Sequence, residues 1–390
     1  MKKDRDHRMK RRKSLIWAAV CGAILAAFAA NSNAEEHPSK PARHRARKPP
    51  AAIHKSAPSP WTFAVSGDSR NCGDIVMPAI AAGVRNDAAR FYWHLGDFRA
   101  IYNFDEDIQH LPDHLAKPLN ILGYEDLAWN DFIENQLLPF GTVPVFLAIG
   151  NHETIPPRTR EQYLIQFADW LDTPALRRQR LSDDGHDFKL KSYYHWIEEG
   201  VDFITLDNAT PDQFDAGQLA WFEKVLDADS ANPQIRAIVA GMHKALPESI
   251  SEGHSMNESP AGIESGRRVY ADLLKAQNGA HKRVYVLESH SHYFMNGIFN
   301  TEYWRNHGGV LPGWIIGTAG AQRYAFPENY PRQPSWQPDV YGYLLGTVKP
   351  DGGIEFSFKR VTEADVPPAV SSRYASDFVH WCFAENSIAH

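Results

Sequence analysis

Cysteine is scarce in this chain: 390 residues carry three, at positions 21, 72 and 382. None lies near another, which excludes a thiolate metal site. No internal repeat is visible, and no strong linker interrupts residues 61–362, so that stretch reads as one domain. The same stretch offers nothing basic and aromatic of the kind that marks a nucleic-acid-binding surface. That absence argues against a nucleic-acid-binding module. What is present suits a large globular body, with 43% hydrophobic, 12% aromatic and 23% charged residues. The net charge of -6 conceals a basic N-terminus on an otherwise acidic chain.

The basic run MKKDRDHRMKRRK precedes the apolar run SLIWAAVCGAILAAFAA and then NSNAEE. That order is the one of a secretory signal peptide over residues 1–34, with cleavage after Ala34. An uncleaved membrane anchor is the other reading, because the apolar run approaches the length of a short membrane helix. Arg11 and Arg12 hint at twin-arginine export, although Ser14 stands where an apolar residue is expected. Residues 35–60 are rich in Pro, Ala and basic residues without apolar periodicity, and read as a disordered linker. A periplasmic or secreted location follows, with membrane contact only through the signal or an anchor. Removal of the signal takes Cys21 with it. One disulfide between Cys72 and Cys382 is then allowed, and two separate buried thiols are the alternative.

From Trp61 onward short apolar, β-rich runs recur: WTFAVS, FYWHL, VPVFLAI, VDFITL, IRAIVA, RVYVLE, GWIIG, YGYLLGTV and GIEFSF. Their continuous apolar character marks strands buried on both faces. Helix-like stretches alternate with them: 74–87, 125–138, 160–171, 216–228 and 267–277. Such alternation predicts an α/β layered domain. The last two strands meet across KPDGG, so part of the sheet is antiparallel. The tail 363–390 contains a segment that can form a docking helix carrying Cys382.

Candidate ligands cluster directly after these strands: GD at 67–68, GD at 96–97, GNHE at 150–153, GMH at 241–243 and SHSH at 289–292. In α/β sheets the carboxyl ends of strands converge on the ligand crevice. Asp68, Asp97, Asn151, His243, His290 and His292 can therefore meet. Mixed oxygen and imidazole donors suit Fe, Mn, Zn or Ni better than Ca or Mg. Six donors are too many for one tetrahedral ion and suit two ions sharing a carboxylate. Two ions about 3.5–4 Å apart are the usual apparatus for phosphate ester hydrolysis.

This ordered set resembles the calcineurin-like metallophosphoesterase family over roughly residues 61–360. Further stretches, SYYHWIEEGVDFITLDNA at 192–209, QLAWFEKVL and GWIIGTAGAQ, resemble its secreted bacterial, purple-acid-phosphatase-like branch. The resemblance implies an α/β four-layer sandwich, two mixed β-sheets packed face to face with helices outside. It also implies a small-molecule phosphomonoester or phosphodiester as substrate, with a metal-bound hydroxide as attacking group. Asp97 would bridge the two ions, with Asn151, His243 and His290 completing one and Asp68 with His292 serving the other. His152 would stay off the metals and protonate the leaving group or stabilise developing charge.

Three positions depart from the pattern. Many members have His two residues after the first aspartate, where this chain has Arg70. A guanidinium has no lone pair for a metal but is shaped to grip phosphate oxygens; pairing with Asp74 or another carboxylate is the alternative. The purple acid phosphatase tyrosine position holds Ala100, with Tyr102 out of register, and Ser289 replaces a glycine. Because Arg70 removes a ligand, a non-catalytic envelope protein binding phosphate or a glycan is a second reading. His94 reads as a core residue, and His186, His195, His281 and His307 as surface or loop residues. Residues 245–266 read as a loop over the site, and Asn208 and Asn257 fit glycosylation acceptors.

Overall fold

The computed structural model of the protein describes residues 59–387 apart from Asn329; the expected signal segment and the linker up to residue 58 lie outside the described residues. Among the described residues there are eleven strands: β1 (Trp61–Ser66), β2 (Tyr92–His94), β3 (Val145–Leu147), β4 (Tyr194–Glu198), β5 (Val201–Thr205), β6 (Ala237–Gly241), β7 (Arg283–Glu288), β8 (Phe294–Asn296), β9 (Gly313–Ile316), β10 (Tyr341–Val348) and β11 (Ile354–Val361). They form two mixed sheets, in the orders β11-β10-β1-β2-β3 and β4-β5-β6-β7-β9-β8. Parallel pairing of β1 with β2 and β2 with β3, and of β5 with β6, β6 with β7 and β7 with β9, turns all these carboxyl ends the same way within each sheet.

The sheets pack face to face through aromatic side chains. Phe63 of β1 meets Phe203 of β5 edge-on at 4.9 Å, and Phe91 meets Phe203 at 5.0 Å and Trp196 of β4 at 5.5 Å. Such pairs contribute about 0.5–1.5 kcal/mol each beyond their buried area, so the interface between sheets is a rigid platform. Helices cover the outer faces. They include α1 (Gly73–Asn86), α2 (Ile121–Phe132), α3 (Arg160–Gln166), α4 (Pro174–Asp183), α5 (Ala216–Ala231), α6 (Pro260–Asn278) and α7 (Ser376–Ala384). The architecture is the one expected. Among the described residues no helix is long and apolar enough to cross a membrane.

Several local expectations are corrected. Strands β4 and β8 were not anticipated from the apolar runs. Strand β4 is joined to β5 by a two-residue turn in which Glu199 and Gly200 both have positive φ, 46° and 84°. That is the turn geometry whose twist matches a hairpin. Within the expected loop 245–266, helix α6 already begins at Pro260. Ser259 caps it by accepting from the Gly262 N–H at 2.9 Å, and proline is well suited to the first helical position.

Helix α7 carries Cys382, which is disulfide-bonded to Cys72 across 310 residues with a Cα–Cα distance of 5.9 Å. Phe378, Val379 and Cys382 share a buried cluster with Ile75, Val76 and Ile80 of α1. The tail thus packs against the helix that follows the Asp68 turn.

Candidate metal centre

Each expected ligand sits just beyond a strand. Asp68 follows β1, Asp97 follows β2, Asn151 follows β3, His243 follows β6, and His290 follows β7, with His292 on the path to β8. Three of them leave the strand abruptly: Asp68, Asp97 and His290 have φ of 59°, 60° and 66°. This left-handed conformation is uncommon outside glycine and recurs at functional sites, where the surroundings must hold it. Glycines make room for it. A Cβ on Gly96 would meet the Gly150 nitrogen at 2.5 Å, so the two turns touch backbone to backbone.

The donors converge. One atom from each of Asp68, Asp97, His243 and His290 can be chosen so that all four lie within 4.8 Å of one another. His243 Nε2 stands 2.9 Å from Asn151 Oδ1, 3.0 Å from His290 Nδ1 and 3.3 Å from Asp97 Oδ1. His292 Nε2 is 3.2 Å from Asp68 Oδ1.

Backbone carbonyls orient the rings. His243 Nδ1 donates to the Leu95 carbonyl at 3.0 Å and His292 Nδ1 donates to that of Gln322 at 2.6 Å. In the neutral rings the lone pairs are therefore on Nε2 and face the cluster, the arrangement that a ligating histidine needs.

Whether a cation fits can be read from the carboxylates. Asp68 Oδ1 and Asp97 Oδ2 are buried without a hydrogen-bond partner, a costly condition for ionised oxygens. Burial works to raise the Asp97 carboxyl, but His152, His243 and Arg70 outweigh it and hold it well below the ordinary range. Burial disfavours charge on His243, yet Asp97 pushes the ring up to about 9. Orphaned carboxylate oxygens, converging lone pairs and a demand for positive charge fit a divalent transition metal.

His152 is 3% exposed, and its Nδ1 donates to the Ala100 carbonyl at 2.6 Å. Its Nε2 then lies 3.6 Å from Asp97 Oδ2. Burial brings this ring down to about 4. His94 is buried, pushed down to about 3 by burial, and bonded to Ser69 Oγ at 3.0 Å, a core residue as expected.

Arg70 reaches the cluster instead of Asp74. Its Nη2 donates to His292 Nε2 at 3.1 Å and stands 3.5 Å from the Tyr324 hydroxyl. Asp74 is taken by Arg99. Burial opposes the charge of Arg70, but Asp97, Tyr324 and Asp68 outweigh it and hold it above its ordinary value.

Three rings at the site were not anticipated as site residues. Tyr324 stacks on His292 at 4.0 Å, His254 stacks on Tyr324 at 5.2 Å and meets His290 edge-on at 5.4 Å, and Tyr102 lies 5.1 Å from His152. Tyr102 and Tyr324 sit on irregular segments and His254 ends the short 3-10 helix Glu252–His254, none with a periodic signal, and only the closeness of Tyr102 to GD at 96–97 hinted at one of them. His195, expected at the surface, is 6% exposed on β4 between Asp202 and Asp183, at 2.6 and 2.7 Å. His186, His281 and His307 are exposed. Asn208 is fully buried and exchanges hydrogen bonds with the backbone of Lys244, which rules out a glycan there in the folded chain.

No family model matches the chain, and no curated protein matches it by sequence. Solved structures do match. A purple acid phosphatase from yellow lupin (Lupinus luteus) superposes with a TM-score of 0.50 at 15% identity, over 77% of this chain and 52% of that one. The chain thus spans about half the length of the lupin protein. The structure of PhoD matches with a TM-score of 0.49 at 13% identity, over 79% of this chain and 72% of that one. A dimetal phosphatase from Danio rerio matches at 0.46 and 12% identity, over 73% and 92%. At these identities the likeness concerns the fold.

Proposed function

We propose that this chain, which has the calcineurin-like metallophosphoesterase fold, is a metal-dependent phosphoric ester hydrolase acting in the periplasm or outside the cell on small phosphomonoesters or phosphodiesters. The observation that carries the reading is the convergence of Asp68, Asp97, Asn151, His243, His290 and His292 from two sheets, with two buried carboxylate oxygens left unpaired.

When bound, the metal supplies Lewis acidity. The chain's own residues do the rest. Asp97, Asn151, His243 and His290 form a donor set for one ion, and the resemblance implies a second at Asp68 and His292. His152 Nε2 is the ring atom at which a proton can be held or passed, because Nδ1 is committed to Ala100. Arg70 presents a guanidinium beside the cluster, suited to orienting a phosphate. Tyr102, Tyr324 and His254 provide ring surface around it.

The test is metal analysis of the mature protein paired with turnover of a chromogenic monoester and a chromogenic diester. Bound metal with metal-dependent turnover is the expected result, and the ratio of the two rates assigns the substrate type. Bound metal without turnover would instead favour a phosphate- or glycan-binding protein.

A further inference from the structure

We infer that the guanidinium of Arg70 takes the place of the second metal ion, so that the centre holds one ion per chain. The inference rests on the metal-dependent reading above and concerns how many ions the donors can serve.

The donors divide unequally. On one side, His243 Nε2 has Asn151 Oδ1, His290 Nδ1 and Asp97 Oδ1 all within 3.3 Å, an oxygen-and-imidazole set sufficient for one transition-metal ion. On the other side stand His292 and Asp68, and Asp68 also has an oxygen within 4.8 Å of donors from Asp97, His243 and His290. Two donors and a shared Asp97 make a poor site, and one of the two donors is already engaged. Because His292 Nδ1 donates to Gln322, the ring has a single lone pair, on Nε2. That lone pair accepts from Arg70 Nη2 at 3.1 Å. It can serve the guanidinium or a metal, but not both.

Arg70 is held in this position. The carbonyl of Arg70 accepts from the Cys72 N–H at 3.0 Å, next to the disulfide. The N–H of Asn71 donates to Asp105 Oδ1 at 2.6 Å, and its amide donates to Asn386 Oδ1 at 2.9 Å. The Tyr324 ring packs on His292 while its hydroxyl approaches the same Nη2. A fixed positive charge beside Asp68 and Asp97 offsets part of their charge without a second ion, and it repels one. The Nε–H of Arg70 is buried without a hydrogen-bond partner, so the guanidinium keeps donor capacity for a phosphate oxygen.

The experiment is a titration of the metal-free full-length chain with Zn2+ and with Mn2+, reading stoichiometry by calorimetry and by elemental analysis after desalting. One equivalent is expected for the wild type and two for Arg70→His, which restores an imidazole. His292→Ala is expected to keep one equivalent. Circular dichroism on each variant verifies that the chain is folded. Two equivalents in the wild type, a single equivalent in folded Arg70→His, or loss of the ion in folded His292→Ala overturns the inference while leaving metal dependence intact. Zero equivalents in the wild type overturns both the inference and the metal-dependent function.

Discussion

Glu153 Oε2 accepts the backbone N–H of Asp97 at 2.9 Å and, at 2.7 Å, that of Gly150, while Oε1 accepts that of Phe98 at 2.9 Å. One buried carboxylate thus ties the turn after β2 to the turn after β3, and with it the proposed shared ligand to Asn151. Glu153→Gln replaces one acceptor with an amide donor facing N–H groups. Metal affinity is expected to fall 10–100-fold, the usual loss when a residue that orients ligands is changed, with the fold retained. Calorimetric metal titration measures it; unchanged affinity would show that the clamp does not position the ligands.

Asp97 and His152 separate ligand from proton carrier. Asp97→Asn is expected to deplete the metal and abolish turnover. His152→Ala is expected to keep metal content and lower kcat about 10²–10⁴-fold. Elemental analysis beside single-turnover assays distinguishes the two outcomes. Full activity in both variants would refute the site.

Arg99 is fully buried and pairs with Asp74, Asp107 and Asp131, with Asp105 at 3.8 Å. Arg99→Met leaves this group of carboxylates without its counter-charge. A loss of about 3–5 kcal/mol is expected from breaking a buried ionic group in this way, read by denaturant unfolding. A change below about 1 kcal/mol would mean that the carboxylates relax into water.

The Cys72–Cys382 bond closes a loop of 310 residues. Its removal in Cys72→Ser/Cys382→Ser is expected to cost about 2–4 kcal/mol, a typical disulfide contribution. Scanning calorimetry with and without reductant tests this. In the denatured, unreduced protein neither cysteine should titrate as a free thiol.

His195 supplies a pH signature away from the metal centre. Burial opposes its charge, but Asp202 and Asp183 outweigh it and push the ring up to about 10, above the ordinary 6.5. A raised folded value means the stabilisation is fully present below about pH 6.5 and is lost as pH rises toward 10. Asp229, pushed up to about 9 by burial and by Asp202, acts in the same direction. Tm is expected to fall from pH 7 to pH 10, with a shallower slope in His195→Gln. Equal slopes would refute the role of His195.

The sequence alone determined most of the buried strands, because continuous apolar runs such as RVYVLE are a local signal, although β11, expected from GIEFSF to be buried on both faces, is a partly exposed edge strand; it also determined the candidate ligands, because GD, GNHE and SHSH directly follow such runs. It also placed the β10–β11 hairpin through KPDGG. Strand β4 escaped because YHWIE mixes polar and apolar residues; only the face of Trp196 meets the other sheet, while His195 turns to Asp183 and Asp202. What required tertiary structure depends on residues distant in the chain. Cys72 meets Cys382, Arg99 collects its aspartates, and His254, at the end of a 3-10 turn, and Tyr324, on an irregular segment, reach His290 and His292. Arg70 marks the boundary most clearly. Its chemistry could be read from the side chain, which cannot ligate a metal. Its choice of His292 over Asp74 was decided by packing, because Arg99 claims Asp74 and the ties of Asn71 and Cys72 hold the Arg70 loop beside the cluster.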